Sequence, residues 1–435
     1  MEIQLINQLL IEGKVEEVGL FPHLDRLKDM SFQFKIDFGL ETLPTEGGIL
    51  IIRGARQYGK STWLEGEIKR TILNFGPSSA FYLNGEYIAD VGQLEHEIEG
   101  LLAAFTKHTA VKRLFIDEIT AVTNWELVLK RLADQGKLRD VLVITTGSKT
   151  TDLRRAAERL PGRKGKLART TYLFTPLAYS EFYRVCNKSL GNNTLIAYLL
   201  SGGSPVACAE LAANKIIPEY VIELTRDWVE GEIASSGRSR AALLNIMSTL
   251  FRYGGTPVGQ AKLAREAGLS NNTVAVNYIE LLNDLGCVLP AYPYDYDKKI
   301  LMLRKPCKYH LTNLLVAVAY HPNRIRTIQD FTHLLEAEQG MWYEWLVAQE
   351  LLRQSSLAGT ELLAPQAFWQ SKEHEIDFVT PKAWIEVKRG RASPLNFSWF
   401  NKIFPKQTLT VINNTHFETA HARGVTLEDF LIGIT

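Results

Sequence analysis

Apolar residues along the chain change their period several times, and each change marks a change of element. Leu5, Ile6, Leu9 and Leu10, and later Leu24 and Leu27, recur at helical spacing. Residues 1–44 therefore read as a helical lead-in of one or two amphipathic helices, closing on a turn at Pro44-Thr45-Glu46-Gly47-Gly48. From Ile49 the texture differs. Short unbroken apolar runs, Ile49-Leu50-Ile51-Ile52, Ala80-Phe81-Tyr82-Leu83, Leu114-Phe115-Ile116 and Val141-Leu142-Val143-Ile144, alternate with helical stretches. A strand buried on both faces has no polar side, so this alternation predicts an α/β core over 45–175, with a parallel sheet covered by helices.

After Pro176 helical periodicity takes over to about 235, interrupted at Ser201-Gly202-Gly203-Ser204-Pro205, which reads as a helical lid over 176–235. Residues 236–305 hold three helical stretches separated by Gly254-Gly255-Thr256-Pro257 and Gly268-Leu269-Ser270, then a hairpin rich in Tyr, Asp and Lys. That outline is a winged helix. From 306 to 435 the pattern is mixed: a helix over 338–354, a hairpin over 367–388, and a last helix near 427–431.

Composition narrows the class. At 435 residues the chain is long enough for about three domains. With 22% charged and 46% hydrophobic residues it has the balance of a globular protein, and no apolar run approaches the length of a membrane span. The formal charge is +1, from 49 Lys and Arg against 48 Asp and Glu, so any contact with nucleic acid has to be local. Cys186, Cys208, Cys287 and Cys307 are spaced neither as a zinc pair nor as a disulfide framework. The start, Met1-Glu2-Ile3-Gln4, lacks the basic and then apolar stretches of a secretory signal. A cytoplasmic location is expected.

The chemistry begins at Gly54-Ala55-Arg56-Gln57-Tyr58-Gly59-Lys60-Ser61, followed by Thr62, which fits G-x-x-x-x-G-K-[ST] between a predicted strand and a predicted helix. Glycines let such a loop curl so that backbone N–H groups point inward, and the following helix adds its positive end. Lys60 is then placed to reach the β- and γ-phosphates of ATP, and the Ser61 hydroxyl to ligate Mg²⁺. The apolar run Leu114-Phe115-Ile116 ends in Asp117-Glu118. Asp117 is expected to hold the magnesium ion and Glu118 to polarise an attacking water, although an acidic pair after a strand also suits a helix start. The strand from Val141 ends in Thr145-Thr146-Gly147-Ser148, whose hydroxyls share the carboxyl edge of the sheet with Asp117, and one of them is a candidate sensor of the γ-phosphate. Between 152 and 169, Arg154, Arg155, Arg159, Arg163, Lys164, Lys166 and Arg169 face only Asp152 and Glu158. Such a cluster supplies either an arginine finger to a neighbouring subunit or a solvated face.

Together these residues resemble the prokaryotic AAA+ ATPases of the archaeal-ATPase type that carry a C-terminal domain of restriction-endonuclease-like fold. The marks are Gly54 to Ser61, Phe115-Ile116-Asp117-Glu118, Thr146-Gly147-Ser148, Gly162-Arg163, Pro176-Leu177 with Glu181-Phe182, and Gly202-Gly203-Ser204-Pro205. The resemblance implies ATP binding and hydrolysis by Lys60, Ser61, Asp117 and Glu118. It places Ser148 near the sensor position and makes Arg163 a candidate phosphate-sensing arginine. It also implies assembly into a homo-oligomer of unstated size.

In the winged-helix segment Ser270 is the expected N-cap of the second helix of a helix-turn-helix, with Val274, Ile279, Leu281, Leu282 and Leu285 available for packing. No Lys or Arg lies between Ser270 and Leu285. Positive charge for a DNA backbone would have to come from Lys262, Arg265, Lys298 or Lys299. Either DNA contact or packing between domains suits this segment.

Further on, Glu344 lies on a helical stretch, Asp377 in His374-Glu375-Ile376-Asp377-Phe378, and Glu386-Val387-Lys388 on the strand after Pro381. Residues two apart on a strand share a face, so Glu386 and Lys388 are expected to meet Asp377 across a hairpin. The order E, D, E-x-K resembles the PD-(D/E)XK nuclease core, with Arg389 and Arg391 adding positive charge. That resemblance implies a divalent metal held by Asp377 and Glu386, and metal-assisted cutting of DNA by Glu344, Asp377, Glu386 and Lys388. The contrasting reading is a cross-strand ion pair in a domain that keeps the fold, cuts nothing, and binds protein or nucleic acid.

Overall fold

The computed structural model describes residues 2–106, 109–147, 165–359 and 364–433. They fall into two compact units, the first from residues 1–33, 37–175 and 356–360, the second from 34–36, 176–355 and 361–435.

The first unit is built on five parallel strands, β1 (Gly48–Arg53), β2 (Ala80–Asn84), β3 (Arg113–Asp117), β4 (Leu142–Gly147) and β5 (Thr171–Leu173). Their order is β2-β3-β4-β1-β5. Every residue of β1, β3 and β4 is buried, as expected where helices cover both faces. One face packs Ile49, Ile51, Phe81, Leu83, Leu114 and Ile116 against Trp125 and Leu129 of the helix Trp125–Asp134. Register decides what meets at the carboxyl edge: Arg53 pairs with Gly147, Ile116 with Thr145, and Asn84 with Asp117. β4 lies between β1 and β3, so the segments after those two strands start about 10 Å apart, two strand spacings.

Two lead-in helices, Ile3–Glu12 and Pro22–Lys28, precede this sheet. Asn7 ties the first to β2 with a two-way bond: its amide donates to the Tyr82 carbonyl and accepts from the Tyr82 N–H, both at 2.8 Å.

The second unit opens with the helices Tyr179–Leu190, Thr194–Ser201, Pro205–Asn214 and Glu219–Ser235. Three more follow, Arg240–Arg252, Gln260–Glu266 and Asn272–Asp284, and then the antiparallel pair β6 (Val288–Asp295) and β7 (Ile300–Leu301). The N-cap of Asn272–Asp284 is Asn271, one position beyond the expected Ser270, because the Asn271 side chain accepts from the Val274 N–H at 3.0 Å.

β6 is also a strand of the C-terminal region. It pairs antiparallel with β8 (Lys308–Leu311) and parallel with β9 (Gln366–Gln370), which carries β10 (Glu375–Ile376) on its far side. The expected boundary between 305 and 306 thus falls between β7 and β8 of one sheet. A third sheet holds β11 (Phe378–Val379), β12 (Trp384–Val387), β13 (Leu409–Ile412), β14 (Phe417–Glu418) and β15 (Ala422–Val425) in the order β11-β12-β13-β15-β14. The hairpin expected over 367–388 is therefore two hairpins in two sheets. The chain changes sheets at Asp377, whose carboxylate is bonded on both sides of the break, as described below.

All four cysteines are buried and unpaired. Among the described residues no helix is long and apolar enough to cross a membrane.

Candidate functional site

The phosphate-loop residues meet at the carboxyl edge of the first sheet. β1 ends against β5 at Gly54, where an added Cβ would lie 2.8 Å from both Cβ and the carbonyl oxygen of Phe174, so only glycine fits. The chain then turns through Gln57 (φ 61°) and Gly59 (φ 97°) into the helix Lys60–Phe75. Arg56 and Gln57 are exposed and Tyr58 is buried. No side chain caps this helix, and its first internal bond runs from the Trp63 N–H to the Gly59 carbonyl at 2.9 Å. The N–H groups of Lys60, Ser61 and Thr62 precede that bond, which is the arrangement that receives an anion.

Lys60 is 5% exposed, and its ammonium donates to the carbonyls of Gly54 at 2.9 Å and Ala55 at 2.8 Å. Burial pulls its pKa below the ordinary lysine value, while the charges of Glu118 and Asp117 oppose that pull. On the far side of β4, Asp117 Oδ1 accepts from the Thr146 hydroxyl and from the Glu118 N–H at 3.2 Å. Glu118 adopts a left-handed backbone (φ 46°), and its N–H lies 3.3 Å from Thr146 Oγ1. Thr146 is thus the hydroxyl that positions the acid, whereas Thr145 bonds the Leu50 carbonyl at 3.1 Å. Ser148, Arg163 and the other basic residues from Arg154 to Lys164 lie outside the described residues.

This donor set fits ATP with Mg²⁺. A glycine cradle, an uncapped helix start and a buried ammonium converge on one side, and a carboxylate ordered by a hydroxyl stands on the other. Ser61 and Asp117 are the residues that would hold the ion.

Glu65, on the same helix, has a role that sequence reasoning missed. Its carboxylate accepts from the N–H groups of His23 and Leu24 at 3.0 Å each and from His23 Nδ1 at 2.6 Å, capping the helix Pro22–Lys28 from outside. The bond to Glu65 raises the His23 pKa, against the opposing effect of burial.

Within the second unit the acidic constellation also assembles. Asp377 stands one step beyond the Phe378 and Ile385 pair, opposite Glu386, and its Oδ2 accepts from the Val387 N–H at 2.9 Å. Glu386 pairs with Lys388 at 2.5 Å. Glu344, on the helix Glu336–Leu357, joins them through a residue that the sequence reading did not single out. Lys308, on β8, reaches Glu344 Oε1 at 3.1 Å, Asp377 Oδ1 at 3.0 Å, and Glu375. His310, two residues along the same face, bonds Glu344 at 2.9 Å through Nε2 and Gln366 at 2.8 Å through Nδ1. The signal available in sequence was two polar residues alternating with apolar ones in an otherwise buried strand, Lys308-Tyr309-His310-Leu311.

Electrostatics separate these carboxyls. Burial would raise Glu344, yet Lys308 and His310 overcome it and hold its pKa down at about 2. Burial, then the Glu344 charge, raises Asp377. Burial, then Asp377, pushes Glu386 up to about 8. The carboxylates of Glu344, Asp377 and Glu375 more than offset burial at Lys308 and lift it well above the lysine value.

A divalent ion on Asp377 and Glu386 fits this arrangement poorly. Both Asp377 oxygens and one Glu386 oxygen are already engaged, and of these two carboxylates Glu386 Oε2 alone is buried without a hydrogen-bond partner. Among the described residues no group of three or more His, Cys, Asp or Glu is arranged to hold a metal.

Residues 46–183 match the family described as AAA domain, and this segment is a P-loop ATPase domain of the AAA type. An uncharacterized protein of Methanocaldococcus jannaschii is 24% identical over 392 residues, 86% of this chain and 82% of that protein. Among solved structures, the Walker-type ATPase of Pyrococcus abyssi is 14% identical with a TM-score of 0.41, over 62% of this chain and 90% of that one. The ORC2 protein of Aeropyrum pernix is 12% identical with a TM-score of 0.37, over 72% of this chain and 91% of that one.

Proposed function

We propose that the chain is an ATP-driven switch of the AAA+ kind, in which binding and hydrolysis of ATP with Mg²⁺ in the first unit govern how the second unit engages a partner. The observation that carries this reading is the shared carboxyl edge, where buried Lys60 and Asp117 lie on either side of β4, whose Thr146 bonds Asp117. When nucleotide enters, Lys60 exchanges two loop carbonyls for phosphate oxygens. Asp117, oriented by Thr146, and Ser61 would hold the ion, which would neutralise charge on the phosphates, and Glu118 orients the attacking water.

In the second unit, residues 236–305 serve as a winged helix and 306–435 as a nuclease-like fold, with β6 shared between them. Two observations favour a protein partner over DNA. The exposed start of the helix Asn272–Asp284 presents Asn272, Thr273 and Asn277 rather than cations. The nearby positive charges are in part already used: Lys262 lies over the Tyr253 ring at 4.4 Å, and Lys298 pairs with Asp295 at 3.6 Å. On this reading the nuclease-like domain binds rather than cuts, and the chain works as a signalling or scaffolding ATPase.

The test is phosphate release from ATP by the wild type, Lys60→Ala and Glu118→Gln, with Mg²⁺. Glu118→Gln is expected to retain nucleotide and turn over at least about 10²-fold more slowly, the usual worth of a general base. Equal turnover in all three proteins would defeat the proposal. Loss of DNA affinity with rising salt would reinstate DNA as the partner.

A further inference from the structure

The nuclease-like resemblance leaves Lys308 without a role, yet Lys308 is buried among carboxylates. It is 1% exposed, donates to Glu344 at 3.1 Å and Asp377 at 3.0 Å, and forms an ion pair with Glu375. A divalent ion binds carboxylate oxygens at about 2.0–2.6 Å. To sit between Asp377 and Glu344 it would have to displace Lys308, which bridges Asp377 Oδ1 and Glu344 Oε1, while Oδ2 already accepts from the Val387 N–H at 2.9 Å. The ammonium would then keep Glu344 and Glu375 but lose Asp377 and stand buried beside a double positive charge, with the Phe368 ring centroid 5.4 Å away. Two like charges sharing one buried set of carboxylates repel each other, so the exchange is unfavourable.

We propose that the Lys308 ammonium is the resident cation of this cluster and occupies, as part of the chain, the place where a nuclease-like fold would hold a divalent metal. The four side chains then act as a clasp. β8 supplies Lys308, β10 supplies Glu375, the helix Glu336–Leu357 supplies Glu344, and the chain entering the third sheet supplies Asp377. The second and third sheets and the long helix are fastened at one point, and no metal is needed there. Lys308 plays this part whether or not the first unit hydrolyses ATP, so failure of either reading leaves the other standing.

The test is Mn²⁺ binding to the nucleotide-free full chain, followed by loss of the free-ion electron paramagnetic resonance signal. Wild type, Asp377→Asn and Glu386→Gln are expected to take up the same amount of Mn²⁺. Lys308→Met is expected to gain one site, at least about tenfold tighter than any wild-type site at this cluster, a difference of about 1.4 kcal/mol. Adding Glu344→Gln to Lys308→Met should abolish that gain. Mn²⁺ should also raise the melting temperature of Lys308→Met and leave that of wild type unchanged. Wild-type uptake that Asp377→Asn or Glu386→Gln removes would overturn the proposal, and so would a folded Lys308→Met that takes up none. If Lys308→Met does not fold, the comparison of wild type with Asp377→Asn and Glu386→Gln decides alone.

Discussion

Glu65→Ala removes a helix cap that the protein supplies from another element. The helix Pro22–Lys28 has Phe21 at its N-cap position and no side-chain cap of its own, so the Glu65 carboxylate is the acceptor for the His23 and Leu24 N–H groups. Losing a side-chain cap costs about 1 kcal/mol, with a range of about 0.5–2. The bond to the His23 ring adds about 0.5–1 kcal/mol, discounted because that side chain is 46% exposed. Together the substitution should cost about 2 kcal/mol, which in a unit of this size is a fall of about 4–8 °C in melting temperature. The ring contribution depends on pH. Because the folded His23 pKa is raised, the charged pair stabilises fully below the unfolded value of about 6.5 and fades as pH climbs through the folded value. A double-mutant cycle of His23→Ala with Glu65→Ala, measured by thermal melts at about pH 5.5 and about pH 8.5, isolates that term. The coupling should be larger at the lower pH. A coupling that grows with pH, or a Glu65→Ala melt within 1 °C of wild type, would refute the reasoning.

Three further substitutions probe the two units separately. Gly54→Ala places a methyl 2.8 Å from Phe174 Cβ and from its carbonyl, and should abolish the heat of ATP binding while lowering the melting temperature of the first unit. Thr146→Val takes the hydroxyl donor from Asp117 at nearly constant volume; losing one bond to a charged acceptor, about 1.5 kcal/mol, should raise the Mg²⁺ concentration for half-maximal turnover about tenfold. In the second unit, Gly202→Ala combines a φ of +58° with a contact 2.5 Å from the Leu315 backbone nitrogen. It should cost at least about 2 kcal/mol, read as an earlier denaturant midpoint with ATP binding unchanged.

What could be read in the sequence is what depends on neighbours in the chain. Four of the five strands of the first sheet declare themselves as short apolar runs, β5 being too short to do so, and the phosphate loop as glycines between a strand and a helix, because both patterns arise from local geometry. Asp117 was legible for the same reason, standing where an apolar run stops. Thr146 could not be separated from Thr145 or Ser148 by sequence, because only the register of β4 against β3 decides which hydroxyl faces the acid. Lys308 was invisible for a stronger reason: its partners Glu344 and Asp377 lie far along the chain, and the parallel pairing of β6 with β9 that gathers this region leaves no local mark. The change of sheet at Asp377 was likewise hidden, since two short hairpins in tandem read as one long one.

Isothermal calorimetry of ATP with Mg²⁺ on the folded full chain, beside Lys60→Ala, tests the central claim most directly. Wild type should release a saturable heat at one site per chain, and Lys60→Ala should bind at least about tenfold more weakly, the loss of about 1.4 kcal/mol or more expected for a buried ammonium on phosphate. No heat from folded wild type, or the same affinity in both proteins, would contradict the account.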